Sequence, residues 1–219
     1  MCFSAEADVA AGVIIGAIGL DGIRHIRRRA ELALAALPLV LAGHQFVEAF
    51  VWWGLEDHVP QPLGRFAVWL YLAVAFAVFP VLVPIAVGAL EPASTRRRMT
   101  PFIALGAVVA AVLSCAVVRG PIVAAIEGHH ITYEVDLWHG GLTVALYVVA
   151  TCGPMLLSAW PHVRWFGGAN LVAATALAWL SQSSFISLWC LWAAVTSVVI
   201  ASHLRLAAWP PHRADVTRP

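Results

Sequence analysis

Glu48 is the residue of this sequence best placed to do chemistry. It lies inside the apolar run LPLVLAGHQFVEAFVWW, where a carboxylate near the middle of a bilayer costs roughly 2.5 kcal/mol or more. Chains that carry such a group usually aim it into a bundle interior or a cavity. His44, Glu48 and Trp52 recur at i, i+4 and i+8 and therefore share one helical face, with Gln45 on its flank. Burial disfavours the charged form of a carboxyl, so a group in this position keeps its proton and is suited to act as a general acid. Hydrogen bonds from His44 or Gln45 are expected to fix which oxygen carries that proton. The expected catalytic pair is Glu48 with His44.

Aromatic residues gather at the same level. Seven of the ten tryptophans fall towards one end of the apolar segments: Trp52, Trp53, Trp69, Trp138, Trp179, Trp189 and Trp192. An interfacial belt accounts for some of them. Trp52, Trp69, Trp189 and Trp192, with Gln45 and Tyr71, are the candidates for lining a pocket beside Glu48. A second stripe runs His139, Thr143, Tyr147 and Thr151 at helical spacing, adding His139 and Tyr147 to the substrate-binding candidates. Just before it, HITYEVDLWH alternates apolar and polar residues with a period of two, which predicts an extended segment able to close over an outer cavity.

Metal chemistry is not expected at these residues. His44, Glu48, His129, His130, Glu134, Asp136 and His139 offer nitrogen and oxygen donors, but they are scattered and contain no HExxH spacing. The four cysteines show no CxxC pairing. The site is read as free of metal and cofactor. Ser4, followed by Glu6 and Asp8, reads as a helix N-terminus with favourable acids in its first turn.

The elements that must position these groups can be read from composition. The chain has 219 residues, of which 61% are hydrophobic and only 11% charged, against about a quarter charged in a typical soluble domain. Mean hydropathy is +0.84. A soluble globule of this size has too little interior to hide so much apolar surface. A net charge of +1 and the lack of any phosphate-loop or DNA-reading pattern exclude a nucleic-acid partner. The prediction is an all-α polytopic membrane protein, a single bundle of seven transmembrane helices over about 5–23, 32–54, 66–90, 101–118, 137–157, 165–180 and 185–206. The outer connection 119–136 is the possible lid.

All thirteen basic residues are arginine, and eleven of them follow the odd-numbered spans or end the chain, or lie between the fifth and sixth spans. Only Arg65 and Arg119 fall on the opposite side. The positive-inside rule then puts the N-terminus outside and the C-terminus in the cytoplasm, in a multi-pass protein of the plasma membrane.

The opening MCFSAEAD, the segment LPLVLAGHQFVEAFVWWGL, the segment YVVATCGPMLLS and the late ISLWCLWAAVTSVVI together resemble, over nearly the whole chain, a family of small bacterial multi-spanning proteins that begin Met-Cys-Phe-Ser-Ala. That family includes the membrane-bound terpene cyclases of drimentine-type indole alkaloid pathways. The resemblance implies a proton-initiated cyclisation of a farnesyl chain carried on a tryptophan-derived diketopiperazine, hence an apolar prenylated substrate reached from the lipid bilayer. It assigns no catalytic residue; Glu48 is proposed from its own chemistry. Such a reaction needs a dry acid, an apolar cavity and aromatic faces beside developing cations, and a final proton acceptor, for which His139, Glu134 and Asp136 are candidates. Neither DDxxD nor DxDD occurs. The alternatives are an intramembrane metallohydrolase acting on lipid, and a proton-coupled transporter or sensor using the same glutamate.

Overall fold

The computed structural model describes residues 4–128, 130–137, 139–180 and 185–206, with the side chains of all of these except 177–180, 185–191 and 206. Among the described residues the chain is mostly helical, with seven long helices. They are α1 (Ala5–Arg24), α2 (Leu32–Leu55), a continuous rod formed by α3 (Gln61–Ala73) and α4 (Phe79–Leu90), then, after the single turn α5 (Ala93–Arg96), α6 (Thr100–Arg119), α7 (Gly140–Leu156), α8 (Pro161–Leu180) and α9 (Phe185–Leu206). Among the described residues, three stretches are long and apolar enough to cross a membrane: Arg29–Leu55, Gln61–Leu90 and Ala93–Arg119. The third and sixth helices each begin a turn earlier than hydropathy predicts, because Gln61, Pro62, Pro161 and His162 are polar or proline first-turn residues that add little apolar signal.

One element departs from an all-α expectation. β1 (Ile122–Glu127) and β2 (His130–Val135) form an antiparallel hairpin in which Ala124 faces Tyr133 and Ile126 faces Ile131. The alternation in HITYEV thus becomes a strand, with Ile131 buried and Tyr133 on the same side, two residues on.

Glycine sets how closely α1 and α2 approach. A Cβ on Gly12 would meet the ring of Phe46 at 3.1 Å, one on Gly16 would meet Ala42 at 3.6 Å, and one on Gly19 would meet Leu39 at 2.7 Å. The two helices therefore run antiparallel in a fixed register, the close packing that small residues permit in lipid. A second contact joins α2 to α3 through bare backbone: a Cβ on Gly54 would lie 2.5 Å from the Cα of Gly64. On the far side of the rod, a Cβ on Gly106 of α6 would fall 1.9 Å from the carbonyl oxygen of Pro80.

Between α3 and α4 the rod widens into one π turn, Val74–Val78, and Pro80 shapes the hydrogen bonding around it. Phe79 donates its N–H to Val74 rather than to Ala75, and Pro80 has no N–H to offer in its place. The Ala75 carbonyl is thereby stripped of an intrahelical donor. Tyr147 of α7 supplies the missing bond, its hydroxyl donating to Ala75 O at 2.9 Å, as a proline-containing helix in a bundle requires.

At the arginine-rich end, polar residues clamp the helices. Arg205 Nε donates to Asp21 Oδ2 at 2.6 Å, tying α9 to α1. Glu31 accepts the backbone N–H of Arg27 at 2.9 Å. Glu91, buried at the end of α4, accepts from Thr95 Oγ1 at 2.7 Å, from the Ser158 hydroxyl and from the Ala159 N–H at 3.0 Å.

Two substitutions probe this framework. Gly106→Ala drives a methyl into backbone and should lower stability by about 1–3 kcal/mol, seen as earlier thermal unfolding in detergent; unchanged unfolding would mean that α6 does not press on Pro80. Tyr147→Phe leaves the Ala75 carbonyl unpaired and should cost about 1–3 kcal/mol, measured by the same unfolding scan.

Candidate functional site

The α1–α2 register dictates the site. Gly19 lies against Leu39, Gly16 against Ala42 and Gly12 against Phe46, and one further turn of each helix brings Asp8 to the level of Glu48 and Trp52. Both carboxyl groups are excluded from solvent, each at 0% exposure. They lie close enough for their charges to act on one another. Asp8, read from the sequence as a surface acid of the first helical turn, is instead a core residue. Its face is the one that buries Ala5, Gly12, Ile15 and Gly19, and its membership of that glycine stripe is the signal that would have found it.

Around the pair the polar groups have few partners. The Tyr71 side chain of α3 lies beside Glu48, near enough to act on its carboxyl. Trp52 Nε1 faces Asp8 but lies outside hydrogen-bond geometry. Among the described residues neither carboxylate oxygen of Asp8 has a hydrogen-bond partner, nor do His44 Nδ1, Gln45 Oε1, Trp52 Nε1 and the Tyr133 hydroxyl. Buried polar groups are nearly always paired, and a cluster of exceptions asks for a role.

Aromatic faces close the cluster. The His44 ring stacks on Tyr71 with centroids 4.0 Å apart and planes 12° from parallel, and Tyr71 stacks in turn on Tyr133 at 4.8 Å and 14°. Phe79 meets His44 edge-on at 5.6 Å. The hairpin thus contributes directly: Tyr133 completes a three-ring column, and Ile131 packs beside it against Val51, Trp52 and Tyr71. Burial pushes the Tyr133 phenol well above the usual tyrosine range, with the nearby carboxylates adding to the effect.

His44, Gln45, Glu48, Trp52 and Tyr71 therefore come together, joined by Asp8 and Tyr133, which sequence reasoning missed. The other candidates lie elsewhere. Trp69 is half-exposed on α3, stacked on Phe66 at 6.4 Å, and lines the cleft between α2, α3 and β1. Tyr147 is engaged with Ala75, and Thr143 and Thr151 of its stripe donate to carbonyls of their own helix. His139 is exposed at the start of α7 in a left-handed conformation, φ 52°. Trp192 joins α9 to α8 through Nε1–H donated to Asn170 Oδ1 at 2.7 Å. The side chains of Trp179 and Trp189, and residues His129 and Trp138, lie outside the described residues. Among the described residues no three His, Cys, Asp or Glu side chains converge as metal ligands would.

Fold and site together define a helical bundle with a solvent-excluded acid cluster beneath a β-hairpin. Residues 1–215 match a family described as a family of unknown function, DUF6629, and the chain belongs to it. No curated protein and no solved structure matches the chain.

The sealed geometry has a chemical signature. A hydrophobic carbodiimide should label Glu48 or Asp8, whereas a water-soluble carbodiimide should label them only after Tyr133→Ala opens the column. Peptide mass spectrometry reads both, and equal labelling of the wild type by the water-soluble reagent would show that the cluster is not closed.

Proposed function

We propose that this protein is a membrane-embedded cyclase that starts ring closure of an isoprenoid chain by protonating a carbon–carbon double bond, with Glu48 as the acid. The observation that carries the reading is the Asp8–Glu48 pair, wholly shut off from solvent beneath stacked aromatic rings. A structural role for a buried glutamate is served by full hydrogen bonding, as Glu91 illustrates. At the other end neither Asp8 oxygen has a hydrogen-bond partner among the described residues, and a dry carboxyl of that kind beside Glu48 is what acid catalysis in an apolar medium needs.

The chemistry balances within the site. The Glu48 O–H bond breaks as its proton adds to the terminal alkene, whose π electrons form the new C–H bond and leave a tertiary carbocation. The next double bond attacks that cation, forming the ring C–C bond and moving the charge along the chain. The outer rings of the column and the indole of Trp52 stabilise the positive charge as it moves. Loss of a proton from carbon to a carboxylate ends the reaction, and transfer between Asp8 and Glu48 restores the acid. The net change is an isomerisation with no cofactor. In this reading the helices cross the bacterial plasma membrane with the arginine-rich end in the cytoplasm, and the substrate, of about farnesyl length, arrives from the lipid. Entry requires the hairpin to move, since Ile131 and Tyr133 cover the acids.

The test is turnover of farnesylated indole diketopiperazine and of farnesyl phosphate by purified protein in proteoliposomes, with products separated by mass spectrometry. Wild type should give an isomer of unchanged mass that gains one deuterium per cyclisation in heavy water. Glu48→Gln should abolish it, a loss of at least about 10²-fold, while leaving the unfolding temperature near that of wild type. Asp8→Asn should slow turnover about tenfold or more. Undiminished turnover by Glu48→Gln would sink the proposal.

A further inference from the structure

Behind the acid cluster lies a cleft of about 540 Å³ between α2, α3 and β1. That volume is within the range of small-molecule sites. Its walls are mostly apolar, and its position is tied to the acids by covalent and strand geometry. Val51 is one helical turn from Glu48, Val68 is one turn from Tyr71, and Ala124 is paired across the hairpin with Tyr133. The cleft therefore lies next to the acid cluster along α2, α3 and the hairpin. The polar groups on the cleft are Gln61 and Arg65, in the first turns of α3. Arg65 is exposed and makes no ion pair among the described residues, and the positive end of the α3 dipole adds to its field.

We propose that this cleft binds an amphiphile made of one isoprenoid chain and an anionic, oxygen-rich head. The head sits on Arg65 and Gln61, and the chain runs past Val51 and Val68 towards Tyr71 and Glu48. The isoprenoid nature and the direction of the chain rest on the protonation reading above; a seat for an anionic amphiphile does not. A guanidinium with no carboxylate partner beside an apolar trough is complementary to this class of molecule, since the head gains a charge-assisted bond and the chain leaves water.

Calorimetric titration of the purified full-length protein in detergent tests it, with farnesyl phosphate, farnesol and inorganic phosphate as probes. Farnesyl phosphate should bind wild type and Glu48→Gln alike. Arg65→Gln should weaken it about tenfold or more while leaving farnesol binding unchanged, and Val68→Trp should weaken both by filling the trough. Inorganic phosphate alone should give no measurable heat, because the chain supplies most of the affinity. Arg65→Gln lies on an exposed side chain and is expected to fold, so it decides the matter if Val68→Trp does not. Farnesyl phosphate binding to Arg65→Gln at wild-type strength, or no binding to wild type, overturns the proposal. Binding without any cyclised product leaves the cleft standing and removes the cyclase. Normal cyclisation by a well-folded Val68→Trp does the reverse.

Discussion

A carboxyl group taken out of water must be compensated, and this chain does so in two opposite ways. At the arginine-rich end Glu91 is surrounded by donors: a threonine, a serine and a backbone N–H of the α7–α8 connection all reach it. The result is a clamp between distant parts of the chain. At the hairpin end Asp8, beside Glu48, is equally buried, and neither of its oxygens has a hydrogen-bond partner among the described residues. The desolvation cost there is left standing and is offset by packing elsewhere in the bundle. That asymmetry separates a structural carboxyl from one held in readiness, and much of the remaining architecture exists to maintain it.

The maintenance is done with small residues and with one irregular turn. Glycines on α1 set the register that brings Asp8 to Glu48, and the Gly54–Gly64 contact brings α3 close enough for Tyr71 to reach across. The Gly54–Gly64 approach, backbone on backbone, tolerates no side chain. The hairpin adds a lid whose inner face is itself part of the site, so sealing and assembling the column are one event.

Much of this was legible in the sequence. Long apolar runs mark the helices by their length and composition alone, and the period-two pattern of HITYEV marks the strand. Glu48 stands out because nothing near it in sequence is charged. Asp8 does not stand out, since it follows Ser4 and Glu6 where acids ordinarily favour a helix start; only the partner helix reveals that its face points inward. Tyr133 was visible as part of an alternation but not as the third ring of a stack, because stacking joins residues 62 positions apart (Tyr71 and Tyr133). Glu91 lies at a helix end beside proline, where a carboxylate normally meets water, and its donors come from residues 158 and 159. Local pattern finds the elements and the lone charge; long-range partners decide what each charge is for.

The π turn at Val74–Val78 carries a further meaning. Such a turn holds one residue more than the helix around it would use, and each residue of an α-helix rotates the chain by about 100°. His44 touches rings on both sides of it, Tyr71 before and Phe79 after. The extra residue therefore acts as a phase setting between two halves of a single rod. A deletion within it would yield a more regular helix yet swing Tyr71 away from His44, Glu48 and Tyr133 together. Local regularity and the alignment of the site are mutually exclusive here, and the hydroxyl of Tyr147, by satisfying the carbonyl that the irregularity exposes, holds the rod in the aligned register.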